Sequence, residues 1–261
     1  MIEQALADYD KAIALNPGLS DAHQGRARAL FDLRRGEEAA AAFDVAFQLA
    51  PDADYLEGIR LLTKMYICDW ADLAPERNRL IAHVLEGKNA ADPFAFLIAD
   101  VGPREQMACA KTYASSKYPA KAPLWTGSRS AHRKIRLGYL SGEFREQATA
   151  YLTAGLFEFH DGNAFELHAF STGPEDNSAM RGRIKAAFAH FTEVSNRSDR
   201  EIAEAIRNAQ IDILVNLSGY FGAERTGAVA FKPAPVQVNY LGFPGTMGAP
   251  RSEEHTSELQ S

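Results

Sequence analysis

Cysteine is scarce in this 261-residue chain: Cys68 and Cys109 are the only two. They stand far apart, with neither CxxC spacing nor a histidine at ligand spacing. That excludes a disulfide framework or zinc finger and points to two free thiols in a reducing compartment. No apolar run approaches the roughly 18–20 residues that a membrane span needs. The start, MIEQALADYDKAIALNP, has no basic n-region and no apolar h-region, so no secretory signal is expected. Positive charge is not in excess either: 28 Lys and Arg against 34 Asp and Glu leave a net charge of −6. This argues against nucleic-acid and anionic-membrane partners. The GxGxxG dinucleotide fingerprint is missing, because Gly138 and Gly142 have the wrong spacing, and hydride transfer is disfavoured with it. What remains is ordinary globular composition, 46% apolar and 24% charged, in a protein expected to be cytoplasmic.

Two helical units open the chain. An offset of 34 lays LADYDKAIALNP (6–17) over AAAFDVAFQLAP (40–51), with Tyr9 on Phe43, Asp10 on Asp44, Ala12 on Ala46, Leu15 on Leu49 and Pro17 on Pro51. That period, with small residues, an aromatic and a helix-ending proline, is the tetratricopeptide pattern. Asp21–Leu33 reads as the first helix of the second repeat, with Gly25 and Ala29 on its packing side. Fewer than three full repeats rarely stand alone, so further repeats upstream are expected. Residues 52–118 stay helical without the repeat and read as a connector. Residues 119–134, in YPAKAPLWTGSRSAHRK, have no apolar period and read as a linker.

From Ile135 the pattern becomes β-prone runs alternating with helices. The strand candidates are IRLGYLS (135–141), FELHAFS (165–171), HFTEV (190–194), IDILVNL (211–217) and VQVNYLG (236–242). Between them lie helical AYLTAGLFEFH, NSAMRGRIKAAFA, DREIAEAIRNA and ERTGAVAF, the third opened by a Ser198/Glu201 capping box. Such alternation predicts a parallel sheet covered on both faces. The whole is therefore α plus α/β, helical repeats followed by a partial Rossmann-like sheet over 135–250. With strand order 3-2-1-4-5, three segments meet beyond the strand ends: Ser141-Gly142-Glu143, Ser218-Gly219-Tyr220 and Gly242-Phe243-Pro244-Gly245-Thr246. Ligands bind there in open α/β sheets. The last eleven residues, RSEEHTSELQS (251–261), match the in-frame translation of a common sequencing-library adapter. They are read as a non-native tail, which leaves the edge near 236–242 without a following strand.

The repeats, ICDW, KIRLGYLSGEF, IDILVNLSGY and KPAPVQVNYLGFPGTMGA together resemble the O-linked N-acetylglucosamine transferase / SPINDLY family of glycosyltransferases, over about residues 1–250. The resemblance implies a GT-B architecture of two Rossmann-like halves, of which this chain would hold the first. It implies transfer of N-acetylglucosamine from UDP-N-acetylglucosamine to Ser or Thr of acceptor proteins held by the repeats. GDP-fucose is the donor for related members. No DxD string or Asp/His ligand cluster stands out in the sequence, so no metal or other cofactor is expected.

Carried over by residue, the family turn Asp-Phe-x-x-His-Pro-Thr reads Glu143-Phe144-Arg145-Glu146-Gln147-Ala148-Thr149 here. Glu143 and Gln147 occupy the positions of proposed acid/base or substrate-positioning groups. A glutamine cannot exchange a proton near neutral pH, which leaves Glu143 as the base candidate. Thr149, Leu241, Gly242 and Pro244 match positions lining the sugar-nucleotide cleft, and Arg225 matches an arginine near it. His160, His168 and His190 read as structural. The chain alone is expected to be inactive, lacking the second half of the cleft. The alternative is a repeat scaffold carrying a degenerate glycosyltransferase domain.

Overall fold

In the computed structural model, which describes residues 1–127, 132–222, 225–249 and the backbone of 253–254, the repeat appears as two helices offset by 34. They are α1 (Ile2–Leu15) and α3 (Gly36–Leu49). Each ends just before a residue that has left the helical region and precedes proline: Asn16 at φ −143° and Ala50 at φ −146°. The proline ring forces that conformation on its predecessor, which is why both helices stop there. Helix α2 (Ser20–Asp32) packs between them. Alanines 27, 29, 39, 42 and 46 line the contact with Leu6, Leu30 and the fully buried Phe43. Gly25 does share the packing side: a methyl group there would overlap the Tyr9 ring.

Helices α4 (Leu56–Tyr66), α5 (Leu73–Leu85) and α6 (Pro93–Phe96) follow, then a 3₁₀ turn at Leu97–Ala99 and α7 (Pro103–Lys117). The first amides of α4 have no partner within the helix. Carbonyls of the segment before α6 supply them, Asn89 O to Tyr55 N at 2.5 Å and Ala90 O to Gly58 N at 2.9 Å. Glu57, 4% exposed, is paired with Arg79 Nε at 2.7 Å and His83 Nδ1 at 2.7 Å, so α5 neutralises the carboxylate that α4 buries. Both cysteines are free. Burial pushes the Cys109 thiol up to about 12, which makes it an inert core residue.

The chain divides into two units, Met1–Tyr113 and Ala114–Ser261. The expected connector thus falls mostly in the same unit as the repeats. In the second unit, β1 (Ile135–Ser141), β2 (Phe165–Ser171), β3 (His190–Glu193), β4 (Ile213–Asn216) and β5 (Val236–Asn239) form a wholly parallel sheet of order β3-β2-β1-β4-β5. Helices α8 (Ala148–Glu158) and α9 (Ala179–Ala187) cover one face, where Leu137, Tyr139, Leu167 and Val215 meet Ala154, Phe157 and Ile184. Helices α10 (Asp199–Asn208) and α11 (Thr226–Val229) cover the other, where Leu140, Phe170 and Leu214 meet Ile202, Ile206 and Ala228. Successive strand residues alternate between these cores, as a doubly covered sheet requires. The Ser198/Glu201 capping box is formed.

One expectation needs correction, that of an unpaired edge at β5. Within the linker segment, Lys121, Leu124 and Trp125 donate their amides to Ala230, Phe231 and Lys232 carbonyls at 2.8–3.1 Å. Its residues 128–131, like Glu224 of the ERTGAVAF helix, lie outside the described residues. The β5 edge also has a neighbour, the two-residue strand β6 (Glu253–Glu254), set parallel with Val238 opposite Glu253. An unpaired strand edge accepts any extended segment within reach; the rest of 250–261 lies outside the described residues.

Gly58 gives a test of this packing. A methyl group there would lie 2.8 Å from the Ala91 Cα and 2.4 Å from its Cβ. Helix propensity alone would reward Gly58→Ala by about 1 kcal/mol. Overlap with backbone reverses the sign, and a net loss of about 1–2 kcal/mol is expected in urea denaturation.

Candidate functional site

Strand order reverses between β1 and β4, so the turns after these two strands flank a crevice. At the end of β1, buried Ser141 accepts the Glu143 amide on its Oγ at 3.0 Å. Phe144, 1% exposed, packs with the rings of Phe157, Phe188 and Phe191. This anchor fixes the turn between Glu143 and α8. The Glu143 carboxylate accepts the hydroxyl proton of Thr149 on the first turn of α8. Of the residues picked out in the sequence, these two are brought into direct contact. Gln147 is the extended N-cap of α8, but its side chain caps nothing. Its amide instead donates to Arg145 O at 2.7 Å. The first-turn amides of α8 thus have no side-chain cap at the crevice, the arrangement that suits an anion.

The turn has a buried support that the sequence reading missed. The Arg181 side chain is 1% exposed and reaches from α9 under the strand ends. Its Nη1 donates to Phe144 O at 2.6 Å, while Nη2 donates to Glu193 Oε1 at 2.6 Å and to Ser171 Oγ at 3.3 Å. Its Nε faces Glu175 Oε1 at 2.7 Å. Burial opposes its charge, but Glu175 and Glu193 outweigh that and hold its pKa above the usual value. One guanidinium thereby ties the turn after β1 to the ends of β2 and β3, a task that needs its planar fork of donors. The next loop adds a second tie, with the Glu146 amide donating to Asp176 Oδ2 at 2.7 Å.

Across the crevice, Asn216 at the end of β4 accepts the amides of Ser218 and Gly219 on Oδ1 at 3.2 and 3.4 Å. Gly219 has φ +56°, and a side chain there would strike Phe243 and Asn239. Gly242 sits where a Cβ would lie 2.0 Å from Leu217 O, so only glycine lets the turn after β5 lie against the turn after β4. Its amide reaches both Leu217 O and Tyr240 O at 3.0 Å. That closes a tight turn around Leu241, which is held at φ +73° and is partly exposed. Backbone held this way in a non-glycine residue marks a site whose geometry is fixed by its surroundings. Pro244 is exposed beside it. Asn239, 4% exposed, has no hydrogen-bond partner for either amide atom among the described residues. Arg225 faces Asp199 at 3.2 Å and donates to the Arg197 carbonyl, so its charge is tied to the start of α10. Glu143, Leu241 and Gly242 therefore stand on turns at the strand ends, Thr149 on the first turn of α8 against Glu143, and Arg225 is engaged in a local ion pair.

Chemically the turn offers a carboxylate able to accept a proton, a hydroxyl already bonded to it, and helix amides for a phosphate. Gln147 cannot move a proton. Arg181→Met should lower the unfolding free energy by about 2–3 kcal/mol in urea titration, because its carboxylate partners are half exposed and solvent recovers part of the loss. Arg181→Lys should restore less than half of it. The same cluster sets an acid response. Lys185 and then Arg181 hold the Glu175 carboxyl down at about 2, below its ordinary 4.5. A depressed carboxyl stabilises the fold fully above its unfolded value and loses that stabilisation as pH falls through the folded one. The melting temperature of Glu175→Gln should thus lie below the parent's at pH 6 and converge with it between pH about 4.5 and about 2. A gap independent of pH would contradict this.

The family model for glycosyl transferase family 41 matches residues 105–254. Among curated proteins, a probable UDP-N-acetylglucosamine--peptide N-acetylglucosaminyltransferase SEC of Arabidopsis thaliana is 36% identical over 132 residues, 51% of this chain and 13% of that protein. The UDP-N-acetylglucosamine--peptide N-acetylglucosaminyltransferase of Caenorhabditis elegans is 28% identical over 200 residues, 70% of this chain and 17% of that protein. Among solved structures, a Thermobaculum terrenum O-GlcNAc transferase mutant aligns with TM-score 0.64 at 24% identity, covering 97% of this chain and 49% of that one. The chain thus spans less than a fifth of these curated relatives and about half of the solved structure. Among the described residues no helix is long and apolar enough to cross a membrane. With the family model matching more than half of its residues, the chain belongs to glycosyl transferase family 41.

Proposed function

We propose that this chain is part of a cytoplasmic protein O-glycosyltransferase that moves N-acetylglucosamine from UDP-N-acetylglucosamine to Ser or Thr hydroxyls of acceptor proteins, which its tetratricopeptide-like repeats hold. The observation that carries the reading is the Glu143–Thr149 pair at the end of β1, on a turn facing the strand reversal. The names of the relatives supply the donor and the reaction.

In this reading the acceptor hydroxyl attacks the anomeric carbon, the bond from that carbon to the diphosphate breaks, and the hydroxyl proton passes to a base. Glu143 is that base, with Thr149 orienting its carboxylate. The first-turn amides of α8 face the departing diphosphate, so no metal is needed to carry its charge. A GT-B enzyme closes its cleft with a second Rossmann-like half, and the 261-residue chain alone should therefore show no turnover. The second reading, a scaffold with a degenerate transferase domain, draws on Gln147, which offers no proton exchange at a position where the family places histidine.

The test is nucleotide-diphosphate release by a longer protein that contains this segment, supplied with UDP-N-acetylglucosamine and acceptor proteins. Glu143→Gln should lower kcat by roughly 10²–10⁴-fold with little change in donor affinity. Gln147→Ala should cost less than about tenfold. Release at the parental rate by Glu143→Gln removes Glu143 as the base. No release with any nucleotide sugar favours the scaffold.

A further inference from the structure

Away from the crevice, in the N-terminal halves of β2 and β3, folding assembles three ligand-type side chains that are dispersed in the sequence. Glu166 and His168 are two apart on β2 and so share a face. The parallel register sets His190 of β3 opposite His168, and Arg136 of β1 opposite Glu166. The His168 Nε2 lies 2.9 Å from Glu166 Oε1, and the His190 Nε2 lies 3.6 Å from the same oxygen. The two imidazoles stack with centroids 4.4 Å apart, and the ligand atoms of all three residues lie within 4.8 Å of one another. Among the described residues this is the group of histidine, cysteine and carboxylate side chains gathered closely enough to hold an ion.

We propose that Glu166, His168 and His190 form a binding site for a borderline divalent cation, zinc in the first instance, which clips the edge strand β3 to β2. Around zinc, with bonds of about 2.0–2.2 Å, tetrahedral ligand atoms stand about 3.3–3.6 Å apart. The two imidazole–carboxylate separations of 2.9 and 3.6 Å bracket that spacing, so rotations of the side chains close the set. Two imidazoles and one carboxylate favour zinc and its transition-metal neighbours over magnesium or calcium, which prefer all-oxygen sites. Ligation through both Nε2 atoms places each ring proton on Nδ1, so neutral rings bind with no net proton release. Arg136 Nε approaches the same carboxylate at 3.2 Å. It also holds Ala209 O at 3.1 Å and Gln210 Oε1 at 3.3 Å, and keeps those partners when Glu166 turns to a cation. His190 is 58% exposed, which gives an ion its route in and leaves the fourth position to water. The site lies at the opposite end of the strands from the crevice, so it is structural and independent of any transfer reaction. Its mechanical consequence falls on β3, four residues long at the sheet edge, whose first residue the clip would fasten to β2 while Arg181 ties the far ends of the two strands.

The test uses the 261-residue chain stripped with EDTA and dialysed. Zinc chloride should bind one equivalent by calorimetry. At a hundredfold excess over Kd it should raise the melting temperature by roughly 5 °C. Magnesium chloride should do neither. His190→Gln, on an exposed ring, should leave the metal-free circular dichroism and melting temperature unchanged while weakening zinc binding at least tenfold and removing the shift. Glu166→Gln should act in the same direction. Cobalt(II) substitution should give the intense visible absorption of a four-coordinate site in the parent chain and lose it in His190→Gln. Absence of zinc binding by the parent chain would overturn the proposal. So would a His190→Gln variant that binds zinc as tightly as the parent, since the ion would then sit elsewhere.

Discussion

The sheet unit hangs on β1, which hydrogen-bonds in parallel to β2 on one side and to β4 on the other. Because a parallel neighbour needs a crossover, the chain must leave β1 in one direction to build β2 and β3 and return past it to build β4 and β5. That constraint assigns α8 and α9 to one face and α10 and α11 to the other. It also opens the space beyond β1 and β4, since the helices that follow them diverge. The residues of the turn after β1 gain their meaning from this position. An identical Ser-Gly-Glu turn at a sheet edge would have no facing partner.

Holding such a turn open costs conformational entropy and exposes backbone, and the molecule offsets this from beneath. The buried Arg181 guanidinium joins Phe144, Ser171 and the half-exposed Glu175 and Glu193 in one cluster, while the Phe144 ring anchors the same turn in the aromatic core. Opposite, Gly242 and Gly219 allow the turns after β4 and β5 to stack backbone on backbone. The result is a rigid rim. At it, buried Asn239 has neither amide atom paired among the described residues.

Much of this was legible in residue patterns, and the misses have physical causes. The runs 135–141 and 165–171 coincide with β1 and β2 because their apolar stretches and the sheet ladder end together at Ser141 and Ser171. VQVNYLG reads as a strand to Gly242, but β5 stops at Asn239. Leu241 turns left-handed to bring Gly242 against Leu217, a long-range demand that β-propensity does not register. Helix α8 begins at Ala148, earlier than the AYLTAGLFEFH pattern suggests, and its first turn carries Thr149 to Glu143. Nothing in the sequence singles out Arg181, since its partners at 144, 171, 175 and 193 meet only once the loops are in place. The Glu166–His168–His190 group was equally hidden: the i, i+2 pair is visible, but the third member depends on strand register. The strand order 3-2-1-4-5 and the glycine-bearing turns at the strand ends were correctly anticipated, and the placement of the candidate site followed from them.

The central claim is that the turns after β1, β4 and β5 form one wall of a nucleotide-sugar site. Hydrogen–deuterium exchange on a longer protein containing this segment, with and without saturating UDP-N-acetylglucosamine, tests it directly. The account predicts slowed exchange in peptides covering residues 142–151, 216–222 and 239–246, with β3 and the repeats unchanged. Donor-dependent protection that leaves all three of those segments unaffected would contradict it.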